Sequence, residues 1–306
     1  MIKLLSVVIV LLIAIFLAIV VGPAPLDQNI IQLRISRIIL GIFAGSIMAF
    51  CGCVLQGLFG NPLVEPYTLG SASGAALGGA IGMILFGTLS PVFAFCGALG
   101  VGLFVFLIAR SGEGVLRDRL ILAGVVMSFL CSSLVMIIMV MGGRELYEVL
   151  YLLMGYLGII IDASNRLPAV VIILCALLCM LYLYRYHREL DIISQGTETA
   201  ASLGINIQNV SIIIFVFTAV LVGLTVSLVG AIGFVGLVIP HISKLLFGPK
   251  HVYNLPASIL LGATFLLLAD TLARTITVYE LPVGVVTSII GVPFFIYLYR
   301  RVGRNV

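Results

Sequence analysis

Charge is what this sequence has least of. Only 9% of its 306 residues are Asp, Glu, Lys or Arg, and tryptophan is absent. A soluble domain must cover itself with polar groups, and so thin a supply excludes that class. The phosphate loop GxxxxGK[ST], the zinc helix HExxH and the GxSxG elbow are all missing. The chain therefore carries no motif for hydrolysing ATP, holding a catalytic zinc or forming an acyl-enzyme. CxxC pairs are missing as well: Cys51, Cys53, Cys96, Cys131, Cys175 and Cys179 all lie inside apolar runs. Cys175 and Cys179 share a helix face, but two thiols without further ligands make a poor metal site and read as buried small side chains. No basic run is long enough to serve nucleic acid. The absences point away from an enzyme, a cofactor-dependent protein or a nucleic-acid binder.

What is present is apolar. Hydrophobic residues make up 62% of the chain and the mean hydropathy is +1.31. Runs long enough to cross a bilayer fall at about 3–21, 35–58, 69–88, 91–110, 119–142, 167–185, 210–230, 255–274 and 282–299. A shorter run at 231–247 carries Pro240 and suits a short or kinked helix. The expectation is an all-α, polytopic bundle of about ten transmembrane helices, one domain over residues 1–306. The first run follows Lys3 like a signal peptide, but its apolar stretch exceeds the ~7–15 residues of a signal core, so it reads as a retained helix.

With the N-terminus inside, the inner segments hold Lys3, Arg110, Arg117, Arg119, Arg185, Arg188, Lys244, Lys250, Arg300, Arg301 and Arg304. The outer segments hold only Arg34, Arg37, Arg144, Arg166 and Arg274. The positive-inside bias places both termini in the cytoplasm. Small residues recur every fourth position: Gly41, Gly45, Ala49, Cys53 and Gly57 on the second run, Gly70, Gly74, Gly78 and Gly82 on the third, and Gly124, Ser128 and Ser132 on the fifth. Such stripes let backbones approach closely where no hydrophobic effect drives association. Packing or pathway lining would each use them.

Three connections are more than turns. Residues 143–166 form an outer segment with Glu145, Tyr147, Glu148 and Asp162, fit for a short surface helix. Residues 185–209 are polar enough to leave the membrane, with Thr197 to Leu203 helix-compatible and Gly204 able to end that helix. Residues 57–70 carry Pro62 and Pro66, which break any helix there. Mid-span charge is essentially missing on this reading, Asp270 being the deepest and paired locally with Arg274. That speaks against an ion-coupled secondary transporter, and nothing converges into an intramembrane active site. Arg34 and Arg37, three residues apart, stand at the entrance of the second run, and Arg274 ends another on the same side. Outer positive charge suits docking of acidic groups or simple interfacial anchoring.

The block RISRIILGIFAGSIMAFCGCVLQGLFGNPLVEPYTLGSASGAALG at 34–78 resembles the opening of FecCD permeases, the membrane subunits of binding-protein-dependent ABC importers. GTETAASLGIN (196–206), GAIGFVGLVIPHISKLLFG (230–248), LLLADTLAR (266–274) and ELPVGVVTSIIGVPFFIYLYRR (280–301) continue the likeness in order. The resemblance implies a BtuC-like, type II importer permease in the prokaryotic plasma (inner) membrane. It would pair with a second permease chain, identical or related, and work with two ATP-binding cassette ATPase subunits and a periplasmic or lipoprotein substrate-binding protein. The implied cargo is a ferric siderophore, with haem, cobalamin or another chelate or oxyanion as alternatives. The resemblance further implies that Gly196, Thr197, Glu198, Ala201, Leu203 and Gly204 couple to the ATPase. Arg34, Arg37 and Arg274 would dock acidic groups of the binding protein. Arg117, Asp118, Gly124, Ser128 and Ser132 would line the pathway and gate, although Arg117 to Arg119 carry more charge than a small polar gate. His241, beside Pro240, reads as structural.

Overall fold

In the computed structural model, thirteen helices follow one another among the described residues, which are all but 1, 24, 26, 87–90, 112–113, 116, 143–146, 278–279 and 303–306. Side chains are described for these except at 2, 68, 110–111, 114–115, 117–118, 142, 147–148, 150–151 and 297–302. The helices are α1 Ile2–Val20, α2 Gln28–Phe59, α3 Ser71–Phe86, α4 Pro91–Ala109, α5 Arg117–Gly142, α6 Tyr147–Met154, α7 Arg166–Tyr184, α8 His187–Ile193, α9 Thr197–Ser202, α10 Ile207–Val229, α11 Val235–Phe247, α12 His251–Thr275 and α13 Val283–Val302. A 3-10 turn, Pro66–Leu69, precedes α3. A two-residue antiparallel ladder pairs Arg110 with Val115 and Ser111 with Gly114.

Each of the ten apolar runs is a helix: α1 to α5, α7 and α10 to α13. Seven are long and apolar enough to cross a membrane; α3, α11 and the described apolar part of α13 are shorter. The other three, α6, α8 and α9, are short connectors. One boundary moves. The second run was expected from 35, but α2 begins at Gln28, because the Asp27 carboxylate accepts the Ile30 N–H at 2.8 Å and caps the helix. Arg34 and Arg37 therefore lie inside the helix instead of at its mouth.

The core is built around α2, which buries 89% of its most apolar 18-residue stretch, against 17% for that of α1. α2 crosses α12 where Gly45 meets Gly262, and a Cβ on Gly45 would lie 2.3 Å from the Gly262 carbonyl oxygen. Gly74 likewise faces Gly97 between α3 and α4. The stripes on α2 and α3 thus serve close packing.

Between α10 and α11 the backbone leaves helical form over residues 230–234, then starts again. Gly236, in the first turn of α11, lies against Met48 and Gly52 of α2. That is three to seven residues from the Gly45 crossing, or about 5–10 Å at 1.5 Å per residue. α11 is thus a half-helix that begins near mid-depth. Its far end meets the start of α1, where Lys3 Nζ donates to the Leu246 carbonyl at 2.9 Å.

Candidate functional site

Polar side chains concentrate at three levels: the end of the bundle that charge bias places outside, the mid-depth break, and the opposite inner end.

At the outer end Arg34, Arg37 and Arg274 are each no more than 5% exposed. Arg37 pairs with Asp270 of α12 at 3.2 Å and with Glu280 of the α12–α13 connection, and its guanidinium lies 5.6 Å from the centre of the Tyr156 ring. Arg274 pairs with Asp270 at 3.2 Å, as the i,i+4 spacing led one to expect, and donates to the Ala18 carbonyl at 3.1 Å. Arg34 donates to the carbonyls of Ile19 and Val20. The last carbonyls of a helix have no intrahelical partner and carry its negative end, so Arg34 and Arg274 fasten the outer end of α1 to α2 and α12. The outward-facing arginines of the sequence reading are turned inward here: Asp270 and Glu280 meet Arg37, Asp270 meets Arg274, and the end of α1 receives Arg34. Among the charged groups of this cluster Glu280 is the exposed one, its side chain 40% open. Nearby, the Ser164 hydroxyl and the N–H groups of Asn165 and Ser164 hold the Asp162 carboxyl below the ordinary carboxylate range.

At mid-depth, residues 57–70 fold back into the bundle instead of remaining an inner connection. The Tyr67 hydroxyl accepts the Ile232 N–H at 2.8 Å, and Glu65 Oε2 accepts the Phe234 N–H at 3.2 Å. The Gln56 amide reaches the carbonyls of Val64, Gly236 and Leu237 at 3.2–3.3 Å. On the other side of the break the Ala231 N–H donates to Leu152 of α6 at 2.8 Å. Irregular backbone at this depth persists only where its polar groups find partners in protein or line a cavity. Gly233, half-buried, has no atom within 4 Å of the position a Cβ would take, so open space borders the break. Glu65 overturns the expectation that mid-depth charge is missing. Pro62 and Pro66 mark a break in the helix there, and a break alone does not show that the chain turns back into the bundle.

At the inner end α8 is anchored and α9 is presented. Leu190 and Ile193 are buried, and Asp191 Oδ1 accepts both the backbone N–H of His251, at 2.8 Å, and its ring Nδ1, at 2.6 Å. Asp191 thereby caps α12 from another helix. The Tyr182 hydroxyl, 3.3 Å from that of Tyr186, and partial burial push the Tyr186 phenol up to about 12. Helix α9 starts after Gly196, ends at Ser202 with Leu203 as its cap, and Gly204 takes φ +80°, in the left-handed region. Thr197, Glu198, Ala201, Leu203 and Gly204 are exposed, Leu203 by 63% despite being apolar.

On α5, Gly124 is buried against the Gly70 region, Ser128 is half-buried and Ser132 is exposed beside Phe129, Met136 and Val140. The stripe turns from the bundle interior to its surface. Arg117 and Asp118 open α5, but their side chains lie outside the described residues, as does Glu145 altogether. Among the described residues no His, Cys, Asp or Glu cluster could hold a metal. The His241 ring packs edge-on to Phe294, as a structural side chain does.

The FecCD transport family model matches residues 3–301. The chain belongs to the FecCD transport family. Among its relatives is the cobalamin import system permease protein BtuC of Halobacterium salinarum, 38% identical over 88% of this chain and 72% of the relative. The hemin transport system permease HmuU of Yersinia pestis is 36% identical over 89% and 83%. A solved inward-facing metal-chelate type ABC transporter superposes with TM-score 0.83 at 31% identity, over 97% of this chain and 98% of the other. This FecCD chain is thus a multi-pass permease subunit of an ABC importer, a transport component and not an enzyme.

Proposed function

We propose that this chain forms, with a second permease chain, the pathway for a ferric-siderophore complex. Two ATPase subunits would sit at the inner end, and a binding protein would deliver cargo at the outer end. Both chain termini would face the cytoplasm, as the distribution of Lys and Arg suggests. The observation that carries the reading is the contrast between α8 and α9. One is locked to α12 through Asp191 and His251, while the other ends at an exposed apolar Leu203 followed by the exposed Gly204. Thr197, Glu198, Thr199, Ala201, Ser202, Leu203 and Gly204 are exposed together outside the apolar spans, a contiguous surface open to a partner. The partner there is the ATPase, with Gly196, Thr197, Glu198, Ala201, Leu203 and Gly204 in contact. At the outer end, acidic groups of the binding protein would exchange with Glu280 for Arg37, while Arg34 and Arg274 keep α1 in place. Gly124, Ser128 and Ser132, with the Arg117 and Asp118 turn, would face the pathway or the second chain.

The bulk of a siderophore complex suits a pathway that holds cargo weakly between sparse polar groups, and the iron need never be coordinated by this chain. Related permeases named for cobalamin and hemin show comparable identity, so cargo is decided by assay. Proteoliposomes holding this chain, its ATPase and its binding protein would be offered ferric siderophore, hemin and cobalamin in turn. ATP-dependent accumulation of the ferric siderophore supports the proposal. Accumulation of hemin or cobalamin instead moves the cargo, and uptake that persists without ATP removes the importer reading.

A further inference from the structure

The mid-depth Glu65 carboxylate ties two segments of the bundle together, and its surroundings give it a further task. α11 begins at Phe234 with φ +67° and no side-chain cap of its own. A left-handed Phe is strained, and such a residue persists only where neighbours over-determine it. Here Gly291 of α13 leaves room for its ring, since a Cβ there would lie 2.4 Å from Phe234. Glu65 supplies what the helix start lacks: a side-chain acceptor, carried by a different segment, at the N-terminal end of α11. Tyr67, two residues on, holds Ile232 in the same way. The 57–70 segment and the 230–234 break are therefore joined by two side chain-to-backbone bonds, with open space at Gly233 between them.

The far end of the same half-helix leads through Gly248 to His251, which Asp191 of α8 holds. One short helix of 13 residues, with Pro240 inside it, thus has its inner end joined through His251 to α8, which leads into the exposed α9, and its other end at the break bordering open space. We propose that Glu65 is a positioning residue for translocation. As the acceptor that fixes the start of α11 to the 57–70 segment, it makes movement of the inner end appear as movement of the pathway wall at 230–234. It acts through its hydrogen-bond acceptor and not by carrying a proton or meeting the cargo with charge. This rests on the reading of the inner end as the ATPase surface.

The test uses the assembled importer in proteoliposomes and compares native chain with Glu65→Gln, Glu65→Ala and Tyr67→Phe. Cargo uptake, ATP hydrolysed and detergent-extracted Tm are measured together. Glutamine keeps an acceptor at the same reach, so Glu65→Gln is expected within about twofold of native uptake per ATP. Glu65→Ala is expected to lower uptake per ATP about tenfold while hydrolysis continues, and Tyr67→Phe to lower it less. Should Glu65→Ala fail to assemble, Glu65→Gln and Tyr67→Phe still decide. Loss in Glu65→Gln equal to that in Glu65→Ala would overturn the proposal in favour of a charge or proton role, which a protonophore that stops native uptake would corroborate. Native uptake per ATP in Glu65→Ala, or in Tyr67→Phe where alanine cannot be assembled, would overturn it as well. Failure of the underlying importer reading would look different, since the native chain itself would show no ATP-driven uptake.

Discussion

Removing the Asp270 carboxylate is the sharpest perturbation of the outer cluster. Asp270 is 4% exposed and meets two guanidiniums, Arg37 and Arg274, each at 3.2 Å and each almost as buried. Asp270→Asn leaves Arg274 without an acid and Arg37 with only Glu280. Breaking a buried ion pair by removing one partner costs about 3–5 kcal/mol, because the remaining charge stays desolvated. At about 2–4 °C per kcal/mol for a chain of this order of size, Tm should fall by roughly 10 °C. Purified protein would be followed by intrinsic tyrosine fluorescence. A companion variant, Arg37→Leu with Asp270→Leu and Arg274→Leu, removes the charges together and should cost clearly less than Asp270→Leu alone. A single-variant Tm within ~2 °C of native, or a triple variant worse than the single, would refute the idea that Asp270 is the shared counter-charge.

Four further outcomes follow from the same structure. Gly45→Val should destabilise by about 1–3 kcal/mol through overpacking against the Gly262 carbonyl, read as a lowered Tm, with Gly100→Ala, which meets open space, as the neutral control. Asp191→Ala should expose His251 and loosen α8, costing about 1–3 kcal/mol through two unsatisfied donors, seen as faster amide exchange over 187–193. Leu203→Asp should leave Tm within ~1 °C of native, as surface substitutions do, while abolishing co-purification of the ATPase. Acid should release the Asp162 turn: its carboxyl is held below the ordinary range, so the contribution is full at neutral pH and disappears as pH falls through the lowered value, measured as exchange of the Ser164 and Asn165 amides between pH 7 and 3.

The helices were legible because apolar runs need no partner to declare themselves; every expected run became one. The Asp270–Arg274 pair was legible for the same reason, since i and i+4 meet on any helix. What the sequence hid was long-range. Nothing within RISR reveals that an aspartate 233 residues later will claim Arg37, or that Arg34 will find carbonyls 14 and 15 residues before it. Glu65 was hidden by composition: two prolines around a carboxylate mark a break between helices, and only the re-entry of apolar Val64 and Leu69 into the core, both at most 2% exposed, gives it away. The helix at 197–203 and its glycine stop were read from local chemistry and found in place, one residue shorter.

The outer cluster also sets an order of events during synthesis. α2 enters the bilayer early with Arg37 on it, while its acids, Asp270 and Glu280, are still unmade. At ~5–20 residues per second, the 233 residues separating Arg37 from Asp270 take roughly 10–50 s to appear. Through that interval the second span must wait beside the insertion machinery or lean the Arg37 guanidinium toward the headgroups, and it can settle only when the twelfth helix arrives. A ribosome stalled before residue 270 would therefore leave a chain whose second helix is still extractable, and one stalled after Glu280 has cleared the membrane would not.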